Sequence, residues 1–229
     1  MKKHYGLILF FVALVSTGWT VCSQAMELIP VTSFDSTWVT DSYGTGTSTV
    51  TTDGAKVNLS AQGSATDYAE KDFYKTGTTG TIGMMATLQV DQSTSPNSST
   101  SIGIYQYLGQ IGNEKIQLMI QLNQVNNQNR IWYRIRSADL TTNAKTVIGQ
   151  GTFGDTTEGW TIGKSVTVAL ARVGSEYWLY VVGLPGLAKL QFLNELMPYP
   201  NNSRPAIVVW ADKGASISGS VSNIYLIKE

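Results

Sequence analysis

The chain has 229 residues, 16 basic and 16 acidic side chains and a formal net charge of zero, and only 14% of its residues are charged. Without a basic excess or a run of like charges, we expect neither nucleic acid nor an anionic membrane surface as a partner. The single histidine and the single cysteine, His4 and Cys22, both lie in the first 25 residues. The rest of the chain therefore has no imidazole or thiol for a catalytic triad or a zinc site.

Residues 1–25 have the three parts of an export signal. A positive start is followed by the apolar run Gly6–Val15, and Ser23 and Ala25 are small residues at the −3 and −1 positions of a cut before Met26. The run is shorter than the roughly 20 apolar residues that span a bilayer. We therefore predict a cleaved signal peptide, a periplasmic or extracellular product, and no stable membrane span after cleavage.

From Phe34 to the C-terminus, apolar and polar residues alternate with the period of a β-strand. Asp53-Gly54 is a two-residue hairpin signal between the first two segments. The leucine-rich segment 187–197 has helical spacing and ends before Pro198, which predicts one short helix. The predicted strands are 47–52, 55–60, 67–74, 81–90, 102–108, 115–122, 130–137, 146–153, 165–173, 176–182, 206–211 and 216–227.

A dozen strands without a linker, a repeat or a shift in composition predict one domain, residues 26–229. The fold class expected for this pattern is all-β, a two-sheet antiparallel jelly-roll sandwich with one short helix. Because aromatic side chains fill the interiors of such sandwiches, four tryptophans are predicted to lie in the core. They are Trp38, Trp160, Trp178 and Trp210.

Three consecutive strands combine an apolar face with a polar and aromatic one. Isoleucine and leucine alternate with amides in 115–122, while 102–108 and 130–137 place tyrosine, tryptophan and arginine on one face. Aromatic planes stack on the C–H faces of sugars, and amide or guanidinium groups bind hydroxyls. The alternative is an ordinary solvated face of an antiparallel sheet. The candidate ligand-binding residues are Tyr105, Tyr107, Gln117, Gln121, Trp132, Arg134 and Arg136.

Several short segments resemble the concanavalin A-like (laminin-G-like) jelly-roll superfamily. They are Phe34-Asp35 before Trp38, the turn Gly112–Glu114, the run Trp160–Gly163 before a strand, and the closing segment Val221–Leu226. The resemblance implies a two-sheet sandwich and a role with sugars, as a lectin or as an enzyme acting on polysaccharides. The E-x-D-x-x-E run of the related glucanases is absent from the sequence, since Glu70-Lys71-Asp72 lacks a third carboxylate.

The sequence thus favours a secreted, lectin-like binding protein without catalysis, with a glycan or polysaccharide as its partner. One alternative is a structural or adhesive surface protein that binds other proteins. The other is a glycoside hydrolase, which needs only two carboxylates; Glu70 and Asp72 are the one pair that shares a strand face. No catalytic residue, metal ligand or cofactor is assigned, although oxygens near Asp35 and within 139–143 could hold a structural calcium ion.

Overall fold

A computed structural model describes residues 26–142, 144–153, 159–173, 176–182, 187–191 and 204–228, and the predicted signal peptide lies outside these ranges. The described residues contain fifteen strands and no helix. In chain order the strands are β1 (Glu27–Pro30), β2 (Trp38–Gly44), β3 (Thr47–Asp53), β4 (Lys56–Gln62), β5 (Ala69–Lys75), β6 (Thr81–Thr94), β7 (Ser99–Ile111), β8 (Glu114–Val125), β9 (Gln128–Asp139), β10 (Lys145–Phe153), β11 (Ser165–Val173), β12 (Glu176–Val181), β13 (Leu187–Gln191), β14 (Arg204–Ala211) and β15 (Ser216–Lys228).

The strands form two antiparallel sheets, and the chain crosses between the sheets repeatedly. The first sheet has the order β13-β12-β11-β6-β15-β4-β3, with β1 also paired to β15. The second has the order β10-β9-β8-β7-β14-β5-β2. Strands β7 to β10 follow one another as hairpins, whereas β14 inserts between β7 and β5 after a long excursion through the first sheet. The predicted all-β, two-sheet antiparallel jelly-roll sandwich is confirmed.

The core lies between the sheets and follows the predicted alternation. On β8, Ile116, Leu118, Ile120 and Leu122 point inward and are buried together with Ile104 of β7. Each such side chain contributes about 1.5 to 3 kcal/mol when it is removed from water. The alternate residues of β7 and β8 point the other way and lie on the outer face of the second sheet.

Two of the four tryptophans lie in the core as predicted. Trp38 is 7% exposed and Trp160 is 4% exposed, and the Nε1 of Trp160 donates to the carbonyl of Asn123 at 3.0 Å. The prediction is wrong for Trp178 and Trp210, which are partly exposed. The residues directly before and after each of these tryptophans are buried. Because successive side chains of a strand point to opposite faces, both indoles point outward.

The predicted helix is wrong over Leu187–Gln191, which forms β13 and pairs antiparallel with β12. A short leucine-rich segment satisfies the helical and the strand period alike, and here the unpaired backbone edge of β12 decides between them. The second half of the predicted helix, 192–197, lies outside the described residues. In the part of the chain that is described, no helix has the length and apolar character of a membrane span.

Candidate functional site

The outward side chains of the second sheet form four rungs, each running from β9 towards β2. The first rung is Arg136, Gln117, Tyr107 and Arg204. The second is Arg134, Met119, Tyr105, Ala206, Tyr74 and Val39. The third is Trp132, Gln121, Gly103, Val208, Asp72 and Asp41. The fourth is Arg130, Asn123, Ser101, Trp210, Glu70 and Tyr43.

This outer face is strongly concave. Arg136 on β9 and Glu70 on β5 are four strands and three rungs apart, which in a flat sheet separates their backbones by about 28 Å. Nevertheless Arg136 Nη2 donates to Glu70 Oε1 at 2.7 Å. The sheet must therefore curl until side chains from its two halves meet. We call this surface, made by the four rungs, the concave face.

All seven candidate residues lie on the first three rungs, on the neighbouring strands β7, β8 and β9. The structure pairs these three strands side by side, so the seven residues lie on one shared face. Their exposure differs, however. Tyr105, Gln117, Gln121 and Arg136 are buried, whereas Tyr107, Trp132 and Arg134 are partly exposed. The part of the candidate set that solvent can reach thus consists of two aromatic rings and one guanidinium group.

The buried members belong to an ion network centred on Glu70. Its carboxylate is fully buried and accepts from Arg136 and from the ammonium group of Lys145 on β10. The Nε of Arg136 donates to Gln117 Oε1 at 2.6 Å. A buried carboxylate held by two cations has its charge compensated, which is the condition for burying ions at all. We call Glu70, Asp72, Tyr105, Gln117, Arg136 and Lys145 the ion network.

Asp72 is the second buried carboxyl of this network, and its pKa differs sharply from that of Glu70. Burial and the neighbouring charge of Glu70 raise the pKa of Asp72 to about 7. Burial alone would also raise the pKa of Glu70, but the positive charges of Arg136 and Lys145 overcome it and lower that pKa to about 2. The Tyr105 hydroxyl donates to Asp72 Oδ2 at 2.8 Å. The two carboxyls are adjacent on one face, as predicted, but their neighbours seal both from solvent.

Lysines from β8 and β10 close the concave face against its opposite edge. The ammonium groups of Lys145 and Lys115 lie 5.1 Å and 5.2 Å from the ring centroid of Tyr43 on β2. Lys145 also lies 5.0 Å from the ring of Tyr68. These cation–π contacts join the two edges of the sheet over the ion network. The accessible part of the concave face is therefore the area beside this closure.

Two arginine–aromatic pairs occupy the accessible area. The guanidinium of Arg134 lies 5.0 Å from the ring of Trp132, and that of Arg204 lies 5.8 Å from the ring of Tyr107. Such stacking holds the arginine flat while its N–H groups stay available at the edge. The pairs offer apolar planes next to hydrogen-bond donors, which is the combination that binds sugars.

Sequence reasoning missed several residues of the concave face. Arg130 is two residues before Trp132 on the same strand, so alternation alone could have identified it. Arg204, Tyr74 and Trp210 carry no comparable signal, since they join the face only because β14 and β5 pair beside β7. Long-range pairing of this kind has no local signature in a sequence.

The two aspartates considered for calcium act as local turn caps. Asp139 Oδ1 accepts from the backbone N–H of Thr141 and Thr142 at 2.9 Å and 2.7 Å. Asp35 Oδ1 accepts from the backbone N–H of Thr37 at 2.9 Å. The pKa of Asp35 is lowered by hydrogen bonds from the hydroxyl and then the backbone N–H of Thr37, and the pKa of Asp139 is lowered first by the backbone N–H of Thr142. Within the described ranges, no three acidic, histidine or cysteine side chains come together as a metal site.

No family model and no curated protein matches this chain. Among solved structures it is similar to the kappa-carrageenase from Pseudoalteromonas carrageenovora in complex with an oligotetrasaccharide of kappa-carrageenan, with a TM-score of 0.55, 10% identity, and coverage of 93% of this chain and 99% of the enzyme. A native glycosidic hydrolase gives a TM-score of 0.54 at 9% identity, covering 90% of this chain and 97% of the hydrolase.

The carbohydrate recognition domain of Emp47p gives a TM-score of 0.53 at 10% identity, covering 90% of this chain and 96% of that domain. Identities this low show shared architecture, and a shared architecture hosts many functions. The hydrolases and the recognition domain each superpose on this chain with TM-scores of 0.53 to 0.55, over 90 to 93% of its length. The chain has the concanavalin A-like jelly-roll fold.

Proposed function

We propose that this chain is an exported carbohydrate-binding protein that holds a glycan on the accessible part of the concave face. The observation that carries the proposal is the pair of aromatic rings, Trp132 and Tyr107, each with an arginine stacked beside it. A sugar ring packs its C–H face on an indole or phenol, and its hydroxyls bind the adjacent guanidinium. The carrageenase was solved with an oligosaccharide and the Emp47p domain is a carbohydrate recognition domain, which agrees with this use of the fold.

The ion network supports this function as a rigid floor under the binding surface. Gln117 and Arg136 bind each other, and Arg136 in turn binds Glu70, so the first rung is held in one geometry. Rigid positioning of a binding surface lowers the entropy lost when a ligand binds. Both carboxyls of the network, Glu70 and Asp72, are buried. We therefore propose binding without catalysis as the function of the concave face.

Replacing Trp132 with alanine is expected to weaken glycan binding about 10- to 100-fold, because it removes the apolar plane on which the sugar packs, worth about 1.5 to 3 kcal/mol. The matched control is Trp178→Ala, since Trp178 is also partly exposed but lies on the first sheet. Glycan-array binding followed by calorimetry measures the effect, and circular dichroism checks that both variants fold.

Equal losses in the two tryptophan variants would contradict the proposed site. Absence of binding to any glycan, together with a discrete oligomer by size-exclusion chromatography and light scattering, would instead favour the structural or adhesive protein. Release of reducing sugars from a polysaccharide panel would favour the hydrolase, and retention of that activity in Glu70→Gln and Asp72→Asn would exclude this pair as its catalytic groups.

A further inference from the structure

Three consecutive outward side chains of β9 carry N–H groups that find no acceptor among the described residues. Arg130 Nε, Trp132 Nε1 and Arg134 Nε are each buried, and none of them has a hydrogen-bond partner within the described part of the chain. Alternation places all three on the concave face, at every second residue of one strand. Buried donors are nearly always paired in native proteins, so three unpaired donors in a row call for an explanation. An acceptor-rich ligand lying along β9 would satisfy all three.

The charges around these donors favour a negatively charged ligand. The salt bridges among the described residues join Lys75 to Asp35 and join Arg136 and Lys145 to Glu70, and none of them involves Arg130 or Arg134. Burial, followed by the positive charge of Arg136, lowers the pKa of Arg134.

Among the described residues, the strand partners of these two arginines supply no compensating anion. On β10, Gln150 and Thr152 pair with Arg134 and Trp132, and both are uncharged. Two carboxyls share the rung of Trp132. Asp72 is bound by Tyr105 and is largely neutral below pH 7, and Asp41 is exposed on β2, five strands away from β9. A half-buried guanidinium beside another cation, without a carboxylate of its own, is stabilised when an anion binds.

We propose that the glycan bound on this face is an acidic polysaccharide, whose carboxylate or sulfate groups bind Arg130 and Arg134 while the Trp132 indole N–H donates to an oxygen between them. This inference rests on the proposed function and names its ligand class. The two arginines are four residues apart on one strand, a backbone separation of about 13 Å. Anionic groups that repeat along a polymer match this spacing better than a single acidic sugar does. Asn123 Oδ1, a buried acceptor without a partner on the fourth rung, accepts a hydroxyl of the same chain.

The test is calorimetric titration with a polyuronate and with a sulfated galactan, each beside its neutral counterpart, the carboxyl-reduced or desulfated polymer. At least one acidic polymer is expected to bind tenfold or more tightly than its neutral form. Its affinity is expected to fall as salt is raised from 50 to 300 mM, because the distance over which charges interact shrinks to about half. Arg130→Gln and Arg134→Gln are each expected to lower the affinity for the acidic polymer about tenfold. Lys56→Gln, which removes one exposed positive charge on β4, is the matched control and is expected to leave affinity unchanged.

Several outcomes separate this inference from the proposed function. If neutral and acidic polymers bind equally and Trp132→Ala still abolishes binding, the ligand class is wrong but the site is right. If Lys56→Gln weakens binding as much as Arg134→Gln, the attraction is non-specific and the inference is overturned. If no polymer binds the folded protein, the proposed function fails with it. Binding of the sulfated polymer alone, or of the polyuronate alone, supports the inference and identifies the anion.

Discussion

Replacing Glu70 with glutamine is expected to lower the free energy of unfolding by about 3 to 5 kcal/mol at pH 7. The change is nearly isosteric, but it leaves Arg136 and Lys145 without their shared carboxylate. Removing one member of a buried ion pair costs this much because an uncompensated charge remains in the protein interior. Urea denaturation of the wild-type protein and of the variant measures the difference.

The control for this prediction is Asp41→Asn, which removes an exposed carboxylate on the same face. Its free energy of unfolding is expected to change by no more than about 0.5 kcal/mol.

A second variant at Asp72 tests the same network. Once Glu70 is neutral, Asp72 is free to ionise beside the two cations and to recover part of the lost stability. The double variant Glu70→Gln/Asp72→Asn lacks this rescue and should be less stable than Glu70→Gln at pH 7. A loss in Glu70→Gln no larger than that of the control would show that the network does not stabilise the fold.

Replacing Asp72 with asparagine is expected to increase stability at pH 8 by up to about 4 kcal/mol. The pKa of Asp72 in the folded protein is about 7, against an ordinary value of 3.8, so folding opposes its ionisation. Each pKa unit corresponds to about 1.4 kcal/mol. Asparagine has no proton to lose, and its oxygen can still accept from the Tyr105 hydroxyl. Unfolding curves recorded from pH 4 to pH 8 measure the effect.

The sign of the pH dependence differs for the two carboxyls of the network. The raised pKa of Asp72 makes wild-type stability fall as the pH rises from about 4 to about 7, and Asp72→Asn should lack this fall. The lowered pKa of Glu70 gives stability that is present above its ordinary 4.5 and lost as the pH falls towards 2. These two groups together place maximum stability near pH 4 to 5. Parallel curves for the wild-type protein and Asp72→Asn between pH 4 and pH 8 would contradict the assignment.

The ion network also explains why the concave face is only partly open. A sheet that curls until Arg136 meets Glu70 brings its two edges together, and the lysines on Tyr43 hold them there. The strands beyond this closure leave Trp132 and Arg134 on an accessible surface. The contacts that stabilise the curl are thus the ones that shape the proposed groove, and loss of the network should affect stability and glycan binding together.

Local patterns identified much of this molecule from its sequence. On β8, the alternation of Ile116–Leu122 predicted both the strand and the face that enters the core, because successive Cβ atoms point to opposite sides. The adjacency of β7, β8 and β9 was also predictable, since short connections between consecutive strands form antiparallel hairpins. The same reasoning placed Trp132, Arg134 and Arg136 on one outward face.

Local patterns failed wherever a distant partner decided the outcome. Over Leu187–Gln191, the backbone edge of β12 turned a leucine-rich segment into a strand. Trp210 lies outward because β14 pairs with β7 and β5, neither of which adjoins it in sequence. Arg136, which the sequence offered as a ligand-binding residue, instead meets Glu70, 66 residues away along the chain.

By itself, the sequence determined the class of fold and the inward and outward residues of the central strands. These properties depend on the two-residue period of a strand, which acts between near neighbours. Only the tertiary structure decided which of those side chains solvent can reach. Strand order and curvature determine that, and they result from the packing of whole sheets and from contacts between residues far apart in the chain.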